Sequence, residues 1–198
     1  MCNFIINIIV SVITGIIASY TIWYLVTKCL VPKLNFSGFV SKLRTDENAS
    51  GFKYRFKFEN AGRRNIIDLE VIARFRTRGL HNDLPHNWEV IYLPTSSLQY
   101  NKVAIVRPTK SNHLRPVLEI KTYECPYFKS EIFSDEIRRK AESGQLSLDD
   151  IFNIDSESNL QIIILGYDEF SGARKYFESK IYTKKDILPK HFNQNGVN

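Results

Sequence analysis

The chain has 198 residues and carries 27 Lys and Arg against 21 Asp and Glu, a net charge of +6. None of these charges falls between Met1 and Thr27, and the basic excess is spread through the later residues instead of forming the single stripe that nucleic-acid binders present, so no nucleic-acid partner is expected. The three cysteines, Cys2, Cys29 and Cys125, leave one thiol in the body of the chain, which excludes an internal disulfide framework there and fits a reducing compartment.

Residues 4–26 are uncharged and strongly apolar, and as a helix they would extend about 35 Å, enough to cross a hydrocarbon core of about 30 Å. The sequence therefore predicts one transmembrane helix within residues 1–30, with the lipid bilayer as its first partner. A cleaved signal would start with basic residues and have a shorter apolar core. Tyr20, Trp23 and Tyr24 gather where amphipathic rings prefer the headgroup boundary, and Lys28 and Lys33 follow, so these five are read as the interfacial anchor. Lys28, Lys33, Lys42 and Arg44 all follow the span, which by the positive-inside rule puts the rest of the chain in the cytoplasm. The sequon Asn48-Ala49-Ser50 is then an ordinary polar loop.

One helix face repeats small and polar residues every fourth position, at Asn3, Asn7, Ser11, Gly15 and Ser19, while Ile5, Ile9, Ile13 and Ile16 occupy other faces. In lipid there is no hydrophobic force between helices, so association relies on close backbone approach and interhelical hydrogen bonds. Asn7, Ser11, Gly15 and Ser19 thus predict helix packing in a homo-oligomer. A stripe of this kind either packs dry or lines a narrow aqueous path.

Residues 31–190 read as one mostly β domain. Leu34, Phe36, Gly38 and Val40 alternate with Asn35, Ser37 and Phe39 and predict a first strand close to the membrane. Phe52, Tyr54, Phe56 and Phe58 predict a dry face opposite the wet face of Lys53, Arg55, Lys57 and Glu59. After the turn signal Asn60-Ala61-Gly62, Ile67, Leu69, Val71, Ala73 and Phe75 predict a second long strand. Residues 89–93, 102–106 and 117–123 are further strands among prolines, a spacing typical of a sandwich or barrel. A short helix starts at Ser134 and ends at Gly144, and Ser147 starts another turn or helix. Residues 160–165 are apolar on both faces and predict a central strand; a hairpin at 168–173 then leads to a last strand at 175–182, and residues 191–198 form a flexible tail.

The run Tyr54-Arg55-Phe56-Lys57-Phe58-Glu59-Asn60, then Ile67-Asp68-Leu69-Glu70-Val71, and the late hairpin Gly166 to Gly172 leading to Tyr182 and Ile187, resemble the cytoplasmic immunoglobulin-like domain of inward-rectifier potassium channels. The resemblance covers about two thirds of the soluble part and implies a mainly β fold: a single N-terminal transmembrane helix followed by an immunoglobulin-like β-sandwich with a short helical insertion. That family also has a second membrane helix and a Gly-Tyr-Gly type filter, for which this sequence has no counterpart, so the resemblance implies fold and not potassium conduction.

The residues carry little catalytic chemistry. His81, His86, His113 and His191 lack metal-ligand spacing, Cys125 has no nucleophile motif around it, and the glycines do not form a phosphate loop. Neither an enzyme nor a cofactor is expected. The architecture is similar to that of bacterial membrane-perturbing effectors, including those of antiphage systems. This similarity implies an inner-membrane protein whose cytoplasmic domain senses a small ligand or a protein; the basic residues Lys28, Lys33, Arg63 and Arg64, the last two at the strand turn, are candidate contacts for a ligand or a lipid headgroup. A membrane-anchored scaffold is the alternative.

Overall fold

A computed structural model of the chain describes residues 2–29, 31–44, 52–80, 86–96, 102–108 and 116–192. The sequon at Asn48, His81, His113 and residues 193–198 lie outside them. Helix α1 (Cys2–Tyr24) continues as a wider turn over Leu25–Cys29, and residues Phe4–Thr27 are long and apolar enough to cross a membrane, with a mean hydropathy of 2.1. Among the described residues the chain then forms a mainly β body with two five-stranded sheets.

The first sheet contains β1 (Leu34–Phe36), β2 (Val40–Arg44), β3 (Phe52–Asn60), β7 (Val117–Ile120) and β10 (Ile187–Leu188). The second contains β4 (Ile66–Arg78), β5 (Trp88–Leu93), β6 (Lys102–Val106), β8 (Asn159–Asp168) and β9 (Arg174–Glu178). Strand β8 lies between β4 and β9, which accounts for its apolar side chains on both faces. Two segments cross between the sheets next to prolines: Thr95, after Pro94, bridges Ile120, and Pro108 bridges Asn60. Proline has no N–H to offer a continuing ladder, so it fits these corners.

A single cluster of buried side chains draws on both sheets, including Phe56 and Phe58 from β3 and Val71, Phe75, Leu160, Ile162 and Ile164 from β4 and β8. Each such side chain contributes about 1.5–3 kcal/mol relative to exposure. Helices α2 (Asp135–Glu142) and α3 (Leu148–Phe152) follow β7 and add to the same core, with Phe152 edge-on to Phe75 at 5.2 Å. Ser134 caps α2, Gly144 follows it at φ +71°, and Ser147 and Asp150 form a reciprocal cap on α3.

The strands differ from the alternation pattern in particular places. The predicted first strand is two, because five chain steps from Phe36 to Ser41 face only three steps of β3, and the Ser37 hydroxyl bonds back to Phe39 in the break. On β3, Phe52 is 45% exposed beneath the Lys42 ammonium, whereas Lys57, expected on the wet face, is only 4% exposed. Phe39 and Phe192 stack at 5.1 Å and the Lys57 ammonium lies 5.9 Å from the Phe192 ring, which explains that burial.

On β4 the buried residue is Ile66 and not Ile67. Between Ile67 and Glu70 the register with β8 shifts by one residue at Asp68, whose φ is 50°, and this bulge turns Ile66 inward. Gly166 faces the bulge, where a Cβ would meet Ile66 Cγ2 at 2.6 Å. Strand β7 stops at Ile120, because Thr122 turns inward to donate to the Leu146 carbonyl at 2.5 Å. Strand β9 stops at Glu178, where the Ser179 hydroxyl accepts from the Ile162 N–H in place of a strand carbonyl.

Candidate functional site at the joint between helix and domain

A short linker through Val31, Pro32 and Lys33 leads from the helix to the first strand, and the turn after β3 lies against all three and hydrogen-bonds Lys33. Ala61 and Gly62 both donate to the Lys33 carbonyl, at 2.7 and 3.2 Å. Asn60, 1% exposed, organises the turn: its carbonyl oxygen accepts from Gly62 at 2.9 Å, and its amide donates to the carbonyls of Arg64 at 2.7 Å and Val106 at 3.1 Å. The linker passes so close to Gly62 that a Cβ there would lie 2.5 Å from Lys33 N and 2.7 Å from Pro32 Cα. Glycine is the one residue without such an atom.

A second brace joins the far side of the same turn to the helix itself. Arg64 Nη2 donates to the Val26 carbonyl at 3.1 Å, and Nη1 pairs with Asp168 Oδ2 at 3.1 Å. The last carbonyls of a helix lack intrahelical donors and carry partial negative charge, so a guanidinium there satisfies both the hydrogen bond and the dipole. The pair is largely out of solvent, with the Arg64 side chain 12% and the Asp168 side chain 2% exposed. Asp168 also accepts from the Phe170 N–H at 3.1 Å and the Ser171 hydroxyl at 2.7 Å, closing the β8–β9 hairpin. Burial would raise the Asp168 carboxyl, but the Ser171, Phe170 and Arg64 donors outweigh it and hold the group below the usual carboxylate range. The Arg64 guanidinium also lies 4.4 Å from the Phe170 ring.

Arg63 and Arg64, which the sequence offers together as ligand contacts, therefore differ: Arg63 is exposed, and Arg64 is engaged by the helix end, Asp168 and Phe170. Lys33 is exposed beside the turn, Lys28 lies in the last helical turn with its side chain outside the described part, and the Tyr20 and Trp23 rings meet at a tilt with centroids 5.7 Å apart, with Tyr24 exposed one residue on. Asn7, Ser11, Gly15 and Ser19 are exposed, with open space where a Gly15 Cβ would stand. The threonines of the helix differ from them, since Thr14, Thr21 and Thr27 donate to carbonyls four residues back. Asp168, Phe170, Asn60 and Gly62 were legible only as turn residues, because Arg64, the partner of the first two, and Val106 and Lys33, partners of the others, lie far away in sequence.

Elsewhere, Tyr54 donates to Asp149, which also pairs with Lys42 at 2.7 Å; burial and the Asp149 charge push the Tyr54 hydroxyl well above its ordinary value. Cys125 is buried, its thiol pushed up by desolvation and donating weakly to the Tyr92 carbonyl at 3.6 Å. A cleft of ≈ 690 Å³ is lined by Phe152, Asn153, Ser156 and Thr183 to Lys185. Among the described residues no group of three or more His, Cys, Asp or Glu could hold a metal ion.

No family model matches the chain, and no curated protein matches it significantly.

Proposed function

We propose that the chain is a single-pass protein of the bacterial inner membrane in which a cytoplasmic β domain senses a small ligand or a protein and controls an oligomeric helix bundle, perturbing the membrane as antiphage effectors do. The observation that carries this reading is the double brace at the joint. A helix serving only as an anchor needs a tether, whereas here Gly62 grips the linker and Arg64 ties the Val26 carbonyl to Asp168. Movement of the β8–β9 hairpin would reach the helix through these contacts. The unpartnered stripe of Asn7, Ser11, Gly15 and Ser19 supports helix association. The domain is proposed to be an immunoglobulin-like sandwich with α2 and α3 as its short helical insertion, as the likeness to inward-rectifier cytoplasmic domains suggests; support comes from two sheets contributing to one core.

Expression of the full chain in bacteria with a membrane-potential dye tests this reading. Depolarisation is expected, and Gly15→Leu should abolish it through the helix stripe, with Arg64→Gln abolishing it through the joint, at unchanged membrane levels. Depolarisation that persists in Arg64→Gln would remove the coupling from the account.

The second reading is a membrane-anchored scaffold. It is favoured by the outer face of the second sheet, where Trp88, Val90, Tyr92 and Tyr176 are 39–64% exposed and Arg76 and Arg78 stack on Trp88 at 4.8 and 5.0 Å. Exposed Trp, Tyr and Arg are the side chains that dominate protein interfaces. A silent membrane at high expression would select this reading.

A further inference from the structure

The β8–β9 hairpin carries Phe170, at 73% the most exposed large apolar side chain among the described residues of the β body. Isolated exposed apolar residues are ordinary on a protein surface. This one has a fixed relation to the helix. Arg64 lies 4.4 Å from the Phe170 ring and 3.1 Å from the Val26 carbonyl, which keeps the ring within about 9 Å of the helix backbone at its exit. Trp23 precedes Val26 by about 4.5 Å of helix rise, and a headgroup layer is about 5–8 Å deep on each side of a bilayer.

The surroundings of Phe170 have the same character. Tyr167 and Ile105, 40% and 47% exposed, flank Ile67 across the same end of the second sheet, in register with Arg174, which pairs with Glu70 at 3.7 Å. Arg63 and Lys33 are exposed on the neighbouring turn and linker. The one acid at the hairpin tip, Glu169, accepts from the Asn65 amide. Aromatic rings and basic side chains side by side match the chemistry of an anionic lipid surface, in which rings settle among the headgroups and cations meet phosphates.

We propose that this end of the β domain rests on the bilayer, with Phe170 inserted among the headgroups and Arg63 against anionic lipid. The proposal rests on the reading of residues 4–27 as a membrane span. It makes the hairpin a third point of attachment beside the linker and the Arg64 brace, so that the domain stands on the membrane in one orientation.

The chain has two tryptophans, Trp23 and Trp88, which suit a quenching experiment with the full chain in vesicles of phosphatidylcholine and phosphatidylglycerol containing lipids brominated near the carbonyls. Trp88→Phe leaves Trp23 to report the helix. Trp23→Phe leaves Trp88, which pairs with Arg78 at the far end of β4, about 40 Å from Ile66, as the reporter that lipid does not reach. Trp23→Phe with Trp88→Phe and Phe170→Trp reports the hairpin, at a site exposed enough to accept the larger ring. Quenching of this hairpin reporter as strong as that of Trp23, with Trp88 unquenched, is expected, and Arg63→Glu should weaken the hairpin signal. A hairpin reporter as bright as Trp88 while Trp23 is quenched would overturn the docking and leave the membrane span standing. An unquenched Trp23 would overturn both, and hairpin quenching unchanged by Arg63→Glu would overturn the role of the basic residue.

Discussion

The helix and the β body satisfy their apolar side chains in opposite ways. The most apolar window of the helix is 0% buried by the rest of the chain, and its threonine hydroxyls are satisfied by its own backbone. The body instead closes Phe56, Phe58, Phe75 and Phe128 into one core at no exposure. A helix that satisfies its backbone internally and shows apolar side chains on every face but the small and polar stripe suits an apolar solvent, whereas the body encloses its own apolar core. The Arg64–Asp168 pair lies at the joint between them, largely out of solvent.

The largest test of this contrast is Asp168→Ala, which leaves the Arg64 guanidinium without its buried partner and removes the hairpin's acceptor. It should cost about 3 kcal/mol in denaturant unfolding of the detergent-solubilised full chain. Because the Asp168 carboxyl titrates below its unfolded value of about 4, its contribution is fully present above that pH and is lost as pH falls through the lower folded value. Parent protein should therefore lose stability in acid more steeply than Asp168→Ala. Next comes Gly62→Ala: a Cβ 2.5 Å from Lys33 N must displace backbone, at a cost of about 1–3 kcal/mol by the same measurement.

Tyr182→Phe is smaller. Its hydroxyl crosses from beside β8 to the Ser37 carbonyl at 2.6 Å, and burial pushes its pKa up to about 12 from an ordinary value of 10. Loss of the hydroxyl should cost about 1 kcal/mol at neutral pH. The parent's advantage is fully present below pH 10 and disappears as pH rises through about 12, so alkaline titration of unfolding should bring the two proteins together. The smallest effects belong to side chains with no packing role in the body: Gly15→Leu and Arg63→Ala should each change domain stability by less than about 0.5 kcal/mol.

The helix was legible in the sequence because a long uncharged run leaves few alternatives, and the core of β3, β4 and β8 was legible because a strand's period of two survives in the side chains. The places where the pattern misled are places where the backbone departs from regular pleat. One added residue at Asp68 exchanged Ile66 for Ile67, and a hydroxyl at Ser179 ended β9 early. Lys57 was misplaced because its cover comes from Phe39 and Phe192, one of them near the end of the chain. The joint was the least legible part. Arg64 reads as a solvated turn residue until Asp168, 104 positions later, and the Val26 carbonyl, 38 positions earlier, are brought to it. Nothing local in Arg63-Arg64 says which of the two points inward.

The most direct measurement is where the full chain goes when membranes from expressing cells are washed with alkaline carbonate and sedimented. A helix solvated by hydrocarbon should keep the protein in the pellet until detergent releases it. Release of the full chain into the supernatant as a monomer would contradict the span, and with it the account of the joint.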